Sequence, residues 1–130
     1  GLVYYIQSTL FLGKTRGWYA VYYGCDPENV SKVENLVVRE LQEMQRTPVR
    51  ADELQRAKAL LLRQIPLGQA TVNDIAYGMM GRWAFDLPFD EPTIAAQRYL
   101  EISAPEVQAA FAKWLRPEDL VSVTQGPSPH

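Results

Sequence analysis

Two regimes of hydrophobic spacing follow one another along the chain. From Leu2 to Phe11, and again from Trp18 to Tyr23, the residues are largely β-branched or aromatic, the composition that suits a pleated, half-buried surface. Between them Gly13-Lys14-Thr15-Arg16-Gly17 supplies turn residues, so the opening segment predicts a β-hairpin. In its second strand Tyr19, Val21 and Tyr23 share one face and Trp18, Ala20 and Tyr22 the other. Neither face is strictly polar, which calls for a helix or a partner over each side.

After Gly24 the period changes from two to about 3.6. Asp26-Pro27 reads as an N-cap followed by proline in the first helical position, where its missing N–H is harmless. Val30, Val33, Val37, Leu41 and Met44 then recur at three- and four-residue spacing, which predicts an amphipathic helix from Asp26 to about Gln45. Thr47-Pro48 stops it. A second helix starts near Ala51, with Asp52 and Glu53 in the positive first turn and Leu54, Ala57, Leu61 and Ile65 as its stripe. Pro66 and Gly68 break or kink it. A third runs from Thr71 to Trp83 with Val72, Ile75, Ala76, Met79 and Trp83 on one face, and Leu87-Pro88-Phe89-Asp90 is a loop.

Near the end a short helix, Pro92 to Leu100, leads to Ser103-Ala104-Pro105-Glu106, whose serine and glutamate have the spacing of a capping box. The following helix turns Val107, Ala110, Phe111 and Trp114 to the core. Leu120-Val121-Ser122-Val123-Thr124 predicts a strand, and Ser128-Pro129-His130 a frayed end. The fold class is therefore α+β: an antiparallel sheet of the N-terminal hairpin plus the C-terminal strand, with several helices packed against it, in one domain over residues 1–130. Because the chain begins inside strand-like sequence without an initiator Met, it reads as an excised piece of a larger fold.

Composition narrows the function mainly by exclusion. At 130 residues, 47% apolar and 22% charged, the chain has the makings of a hydrophobic core and lacks the signature of disorder. A net charge of −2 argues against nucleic acid and anionic membranes as partners, and no apolar run approaches the roughly 18 residues of a membrane span. Neither a zinc-helix motif, a G-x-S-x-G elbow nor a phosphate loop occurs. One His and one Cys cannot furnish the three or four ligands of a typical zinc site without carboxylates. Cys25 reads as a small packing residue or as a thiol activated by the following helix N-terminus. Met79-Met80 and the pair Trp83/Trp114 have the spacing of core residues, and Asp52/Glu53 and Glu118/Asp119 fit helix-start and turn chemistry.

The succession GLVYYIQS, YYGCDPENV, ADELQRAK, a Gly/Arg-containing helix before DLPFD, and APEVQAAFAKWLRPEDLVSVTQGP resembles the C-terminal lobe of the M16 (pitrilysin/insulinase) zinc peptidases over nearly the whole chain. The resemblance implies paired α+β lobes around a chamber, with an inverted H-x-x-E-H motif binding Zn²⁺ in the N-terminal lobe and none in this one. It also implies a tyrosine within a G-L-x-Y strand, paired with an arginine shortly ahead, that reaches across the chamber to polarise the scissile carbonyl. Gly1-Leu2-Val3-Tyr4 matches the tyrosine, which makes Tyr4 the candidate catalytic residue; the arginine would precede Gly1. The alternative for Tyr4 is a strand aromatic covering a core. Arg50 stands where the family often has a capping Thr or Ser, which predicts a ragged start to the second helix.

Two readings of the parent follow, and a third stands apart from the resemblance. In the first the parent is a zinc endopeptidase, and this piece, inactive alone and without a cofactor of its own, walls the chamber and binds peptide substrate opposite a zinc lobe or partner subunit. In the second it is the scaffold lobe of a non-catalytic M16 relative, of the structural core-subunit type; the third is an unrelated α+β interaction domain. The exposed edge left at Gly1 predicts a twofold dimer through the hairpin from Leu2 to Tyr23. Resemblance to bacterial relatives implies the periplasm, with the cytoplasm as the alternative.

Overall fold

The computed structural model describes residues 1–127; the frayed end expected at Ser128-Pro129-His130 lies outside them. The order is β1 (Tyr5–Leu12), β2 (Gly17–Gly24), a 3-10 turn over Pro27–Asn29, α1 (Val30–Arg46), α2 (Ala51–Leu67), α3 (Val72–Ala84), α4 (Glu91–Glu101), α5 (Ala104–Trp114) and a 3-10 turn over Pro117–Asp119. This is α+β, as the change of period predicts. Two compact units form, one of Gly1–Thr47 with the chain from Gln108 on, the other of Pro48–Val107.

In the first unit β1 and β2 pair antiparallel from Tyr5↔Gly24 to Leu12↔Gly17, and the turn is closed by Gly13 N donating to the Arg16 carbonyl at 2.8 Å. Directly paired residues share a face, so Ile6, Tyr19, Val21 and Tyr23 lie on one side. That side and α1 line a common apolar groove. The predicted stripe of α1 is the buried one, with Val33 2% and Leu41 7% exposed. On the opposite side no helix among the described residues provides the expected cover. Trp18 and Tyr22 are half-exposed there, and Trp18 stacks on Phe11 with ring centroids 3.9 Å apart.

Two glutamines close the helix ends of this unit. Gln108 Nε2 donates to the Gln45 and Arg46 carbonyls at 3.2 and 2.8 Å, and Gln45 Nε2 donates to the Phe111 and Leu115 carbonyls at 3.2 and 3.1 Å. Last-turn carbonyls commonly lack helical partners, and Gln108 supplies donors at the end of α1; the Phe111 carbonyl accepts from Gln45 as well as from Leu115 N at 3.1 Å. Val107, Phe111 and Leu115 are half-buried along α5, whereas Ala110 and Trp114 are exposed. The inward stripe of α5 thus runs at four-residue steps and leaves out Trp114, which packs under the Lys113 ammonium at 4.8 Å.

The expected C-terminal strand does not form. Among the described residues the sheet consists of β1 and β2, and Val121 and Val123 are almost fully exposed. Composition favours an extended backbone locally, but a strand exists only when a neighbour's N–H and C=O groups complete the ladder. The segment is instead tied to α1 by the Ser122 hydroxyl donating to the Glu34 carboxylate.

In the second unit α2 packs on α4, and Lys58 Nζ donates to the Leu100 carbonyl at 2.8 Å. The half-buried stripe of α2 keeps Leu54 and Ile65 as expected but takes Lys58 and Leu62 in place of Ala57 and Leu61, and Leu61 is left 39% exposed. Nor is the start of α2 ragged. The Glu53 carboxylate accepts from Arg50 N at 3.2 Å, half of a capping box that needs only the N3 residue. Pro66 lies inside the last turn and α2 ends at Leu67. Thr71 caps α3 by accepting from Asp74 N at 3.1 Å.

On α3 the expected core face is exposed: Val72, Ile75, Met79 and Trp83 are all accessible, as is Met80. Periodicity marks an apolar stripe without saying whether anything covers it, and α3 has no extensive packing partner among the described elements. Of the expected Ser103–Glu106 box the glutamate half forms, Glu106 Oε2 accepting from Ser103 N at 2.8 Å, while the Ser103 hydroxyl donates to the same oxygen at 2.5 Å rather than accepting from Glu106 N. Those bonds, the hydroxyl's first, hold the Glu106 carboxyl below its usual range.

Candidate functional site

Chemistry-bearing side chains meet at the open base of the hairpin. Tyr4 lies just before β1, in a bend, and its backbone N donates to the Gly24 carbonyl at 2.7 Å. That bond extends the ladder by one residue and pins Tyr4 beside the corner where β2 hands over to α1. The approach is close: a Cβ on Gly24 would lie 2.6 Å from Cε1 of Tyr5, so the Tyr5 ring would have to move aside. Tyr4 itself is 75% exposed.

The Tyr4 phenol donates to Asp26 Oδ1. Asp26 has the extended backbone of an N-cap, φ −64° and ψ 147°, and Pro27 follows in the first helical position, yet its carboxylate makes no cap bond. Sequence reasoning assigned Asp26 to the helix and Tyr4 to the substrate; neither assignment anticipates that the two meet, and no local signal could, since they are 22 residues apart. The hydrogen bond from Tyr4 to Asp26 is the main cause, and the Asp26 charge the next, that raise the phenol above its ordinary pKa. Both favour the protonated, donor-competent form.

Two hollows flank this point in the same unit. The larger, about 480 Å³, lies between the hairpin and α1 and is lined by residues such as Leu2, Ile6, Tyr19, Val33 and Val37, with Glu40 its one charged member. Its size suits a ligand, but without converging polar groups it is a seat for apolar side chains. The smaller, about 200 Å³, is bounded by Tyr23, Cys25, Val30 and Val123. Burial first, then the Glu34 charge, raises the Tyr23 phenol. Cys25 is half-buried.

Among the described residues no group of three or more His, Cys, Asp and Glu lies close enough to hold a metal ion. The residues present do not fit zinc, and no step is assigned to it on this chain. Asp52 sits between Arg50 at 3.1 Å and Arg56 at 2.7 Å, and Glu118 Oε1 accepts from Gln42 Nε2 at 3.2 Å; the two acidic pairs are engaged in helix-start and turn contacts.

Compared with known proteins, residues 1–61 match the family model described as Peptidase M16 inactive domain. The match takes in the hairpin, the Tyr4–Asp26 corner, α1 and the first part of α2. No curated protein and no solved structure matches the chain.

Proposed function

We propose that this chain, whose residues 1–61 match the M16 inactive-domain model, is the lobe of an M16 peptidase that walls the substrate chamber opposite a zinc-binding lobe. In this reading the chain binds extended peptide and Tyr4 donates its phenol proton to the scissile carbonyl oxygen. A donor aimed at charge that develops during attack stabilises the transition state more than the ground state. The observation that carries the reading is an exposed, backbone-pinned Tyr4, its phenol donating to Asp26, within the matched segment. The zinc and the general base belong to the other lobe, in the same polypeptide or as a partner subunit.

Hydrolysis of a fluorogenic peptide by this chain alone, by the zinc lobe alone and by the two combined tests it. Cleavage is expected only in the combination. Chelator-sensitive cleavage by this chain alone, or a combination no more active than the zinc lobe alone, overturns it. A stable complex that cleaves nothing supports the second reading, a scaffold lobe, which the accessible apolar side chains on the hairpin and α3 favour.

Those side chains also bear on self-association. Neither YIQSTLFL nor GWYAVYYG contains a charge, so both sheet edges lack the residues that commonly block edge pairing. Ile6, Leu10, Leu12 and Trp18 are each more than half exposed. The isolated chain is expected to dimerise through the hairpin at micromolar concentration, and Leu10→Lys to return it towards monomer. Light scattering reads this directly; a wild-type mass independent of concentration refutes it.

A further inference from the structure

We infer that Asp26 is a positioning residue for Tyr4, parking the phenol at the hairpin base until a substrate carbonyl takes over its proton. The inference rests on the reading of Tyr4 as the donor. A phenol has one proton, and here it is engaged by Asp26; it cannot reach a carbonyl at the same time, so substrate binding must exchange one acceptor for the other. Both residues are exposed, which leaves that exchange open. The backbone around the pair is held on both sides, at Tyr4 by its bond to the Gly24 carbonyl and at Asp26 by the restricted φ of Pro27 that follows.

Three features separate positioning from helix capping. Asp26 occupies the cap position and makes no cap bond. The first turn it would cap is a 3-10 turn whose closing bond, Asn29 N to the Asp26 carbonyl at 2.9 Å, uses the backbone alone. The carboxylate meanwhile accepts from the one tyrosine in the matched segment that lies outside both strands. Holding the phenol in one orientation reduces the rotamer freedom that must be frozen when substrate arrives.

The chain carries seven tyrosines, so the test labels them with ¹³C at Cζ and assigns Tyr4 from the resonance lost in Tyr4→Phe. In Asp26→Ala the Tyr4 resonance should shift at neutral pH and titrate at lower pH than in the wild type. Asp26→Asn, which keeps an acceptor without the charge, should fall between, and Tyr23, raised mainly by burial, should not move. The melting temperature should stay within about a degree, as no cap is lost. Combined with the zinc lobe, Asp26→Ala should lower kcat by up to about tenfold and Asp26→Asn should recover part of it. An unmoved Tyr4 resonance overturns the inference, with or without a fall in melting temperature. So does undiminished turnover in Asp26→Ala when Tyr4→Phe is impaired. If Asp26→Ala moves the Tyr4 resonance while Tyr4→Phe retains full turnover, the Asp26–Tyr4 link holds and it is the donor reading that fails.

Discussion

If Tyr4 is the proposed carbonyl donor, replacing it by phenylalanine should lower kcat of the combination with a zinc lobe by about 10- to 10³-fold, the range for removal of one oxyanion donor, while the chain stays folded. The substitution removes a single hydroxyl whose partner within the chain is the exposed Asp26 carboxylate, and water can replace that contact. The ring, the Tyr4 N–Gly24 bond and the register of the hairpin are untouched. KM should change little, because a proton donated to developing charge acts on the transition state more than on bound substrate. Tyr5→Phe is the internal comparison. Its ring lies against Gly24 and survives the change, so turnover should hold. Steady-state kinetics of both variants, with circular dichroism to verify folding, decides the matter. Wild-type kcat in Tyr4→Phe would return Tyr4 to the role of a surface aromatic and leave the scaffold reading ahead.

Leu41→Ala should have the largest effect on stability. Val33, Leu41 and Pro117 are the buried residues among those described, the first two on the face of α1 turned to the hairpin. Truncating a buried leucine costs about 2–5 kcal/mol, against a total of about 5–15 kcal/mol for an ordinary domain. A unit with so little buried apolar surface sits at the lower end of that range. The transition of the hairpin and α1 should therefore move down by roughly 10 °C or more, and amide exchange along α1 should lose its protection. Leu60→Ala, at a site 60% exposed, should leave the melting curve in place. If Leu41→Ala melts like the wild type, α1 is not where the unit holds together.

Some of this architecture needed only neighbouring residues to read. The hairpin, the buried stripe of α1 and the start of α5 at Ser103–Glu106 each arise from residues close in sequence: turn glycines between β-branched runs, apolar spacing on one helical face, and a carboxylate three positions from the N–H it accepts. Local chemistry dictates such elements whatever surrounds them. Tyr4 was singled out differently, only by the resemblance that Gly1-Leu2-Val3-Tyr4 carries, since local chemistry alone reads it as one more strand aromatic.

Other features depended on what lay opposite. Among the described residues Val121 and Val123 have strand composition but no ladder partner, and Met79, Trp83 and Trp114 have core spacing but stay exposed. Propensity and period are properties of one segment, whereas pairing and burial belong to two. Asp26 makes the same point at the candidate site. By itself the sequence determined that Asp26-Pro27 starts a helix and that Tyr4 leads into a strand. Only the tertiary structure decided that the hairpin brings them together across 22 residues and turns the carboxylate from the helix end to the phenol, because a hydrogen bond depends on distance in space and not on separation along the chain.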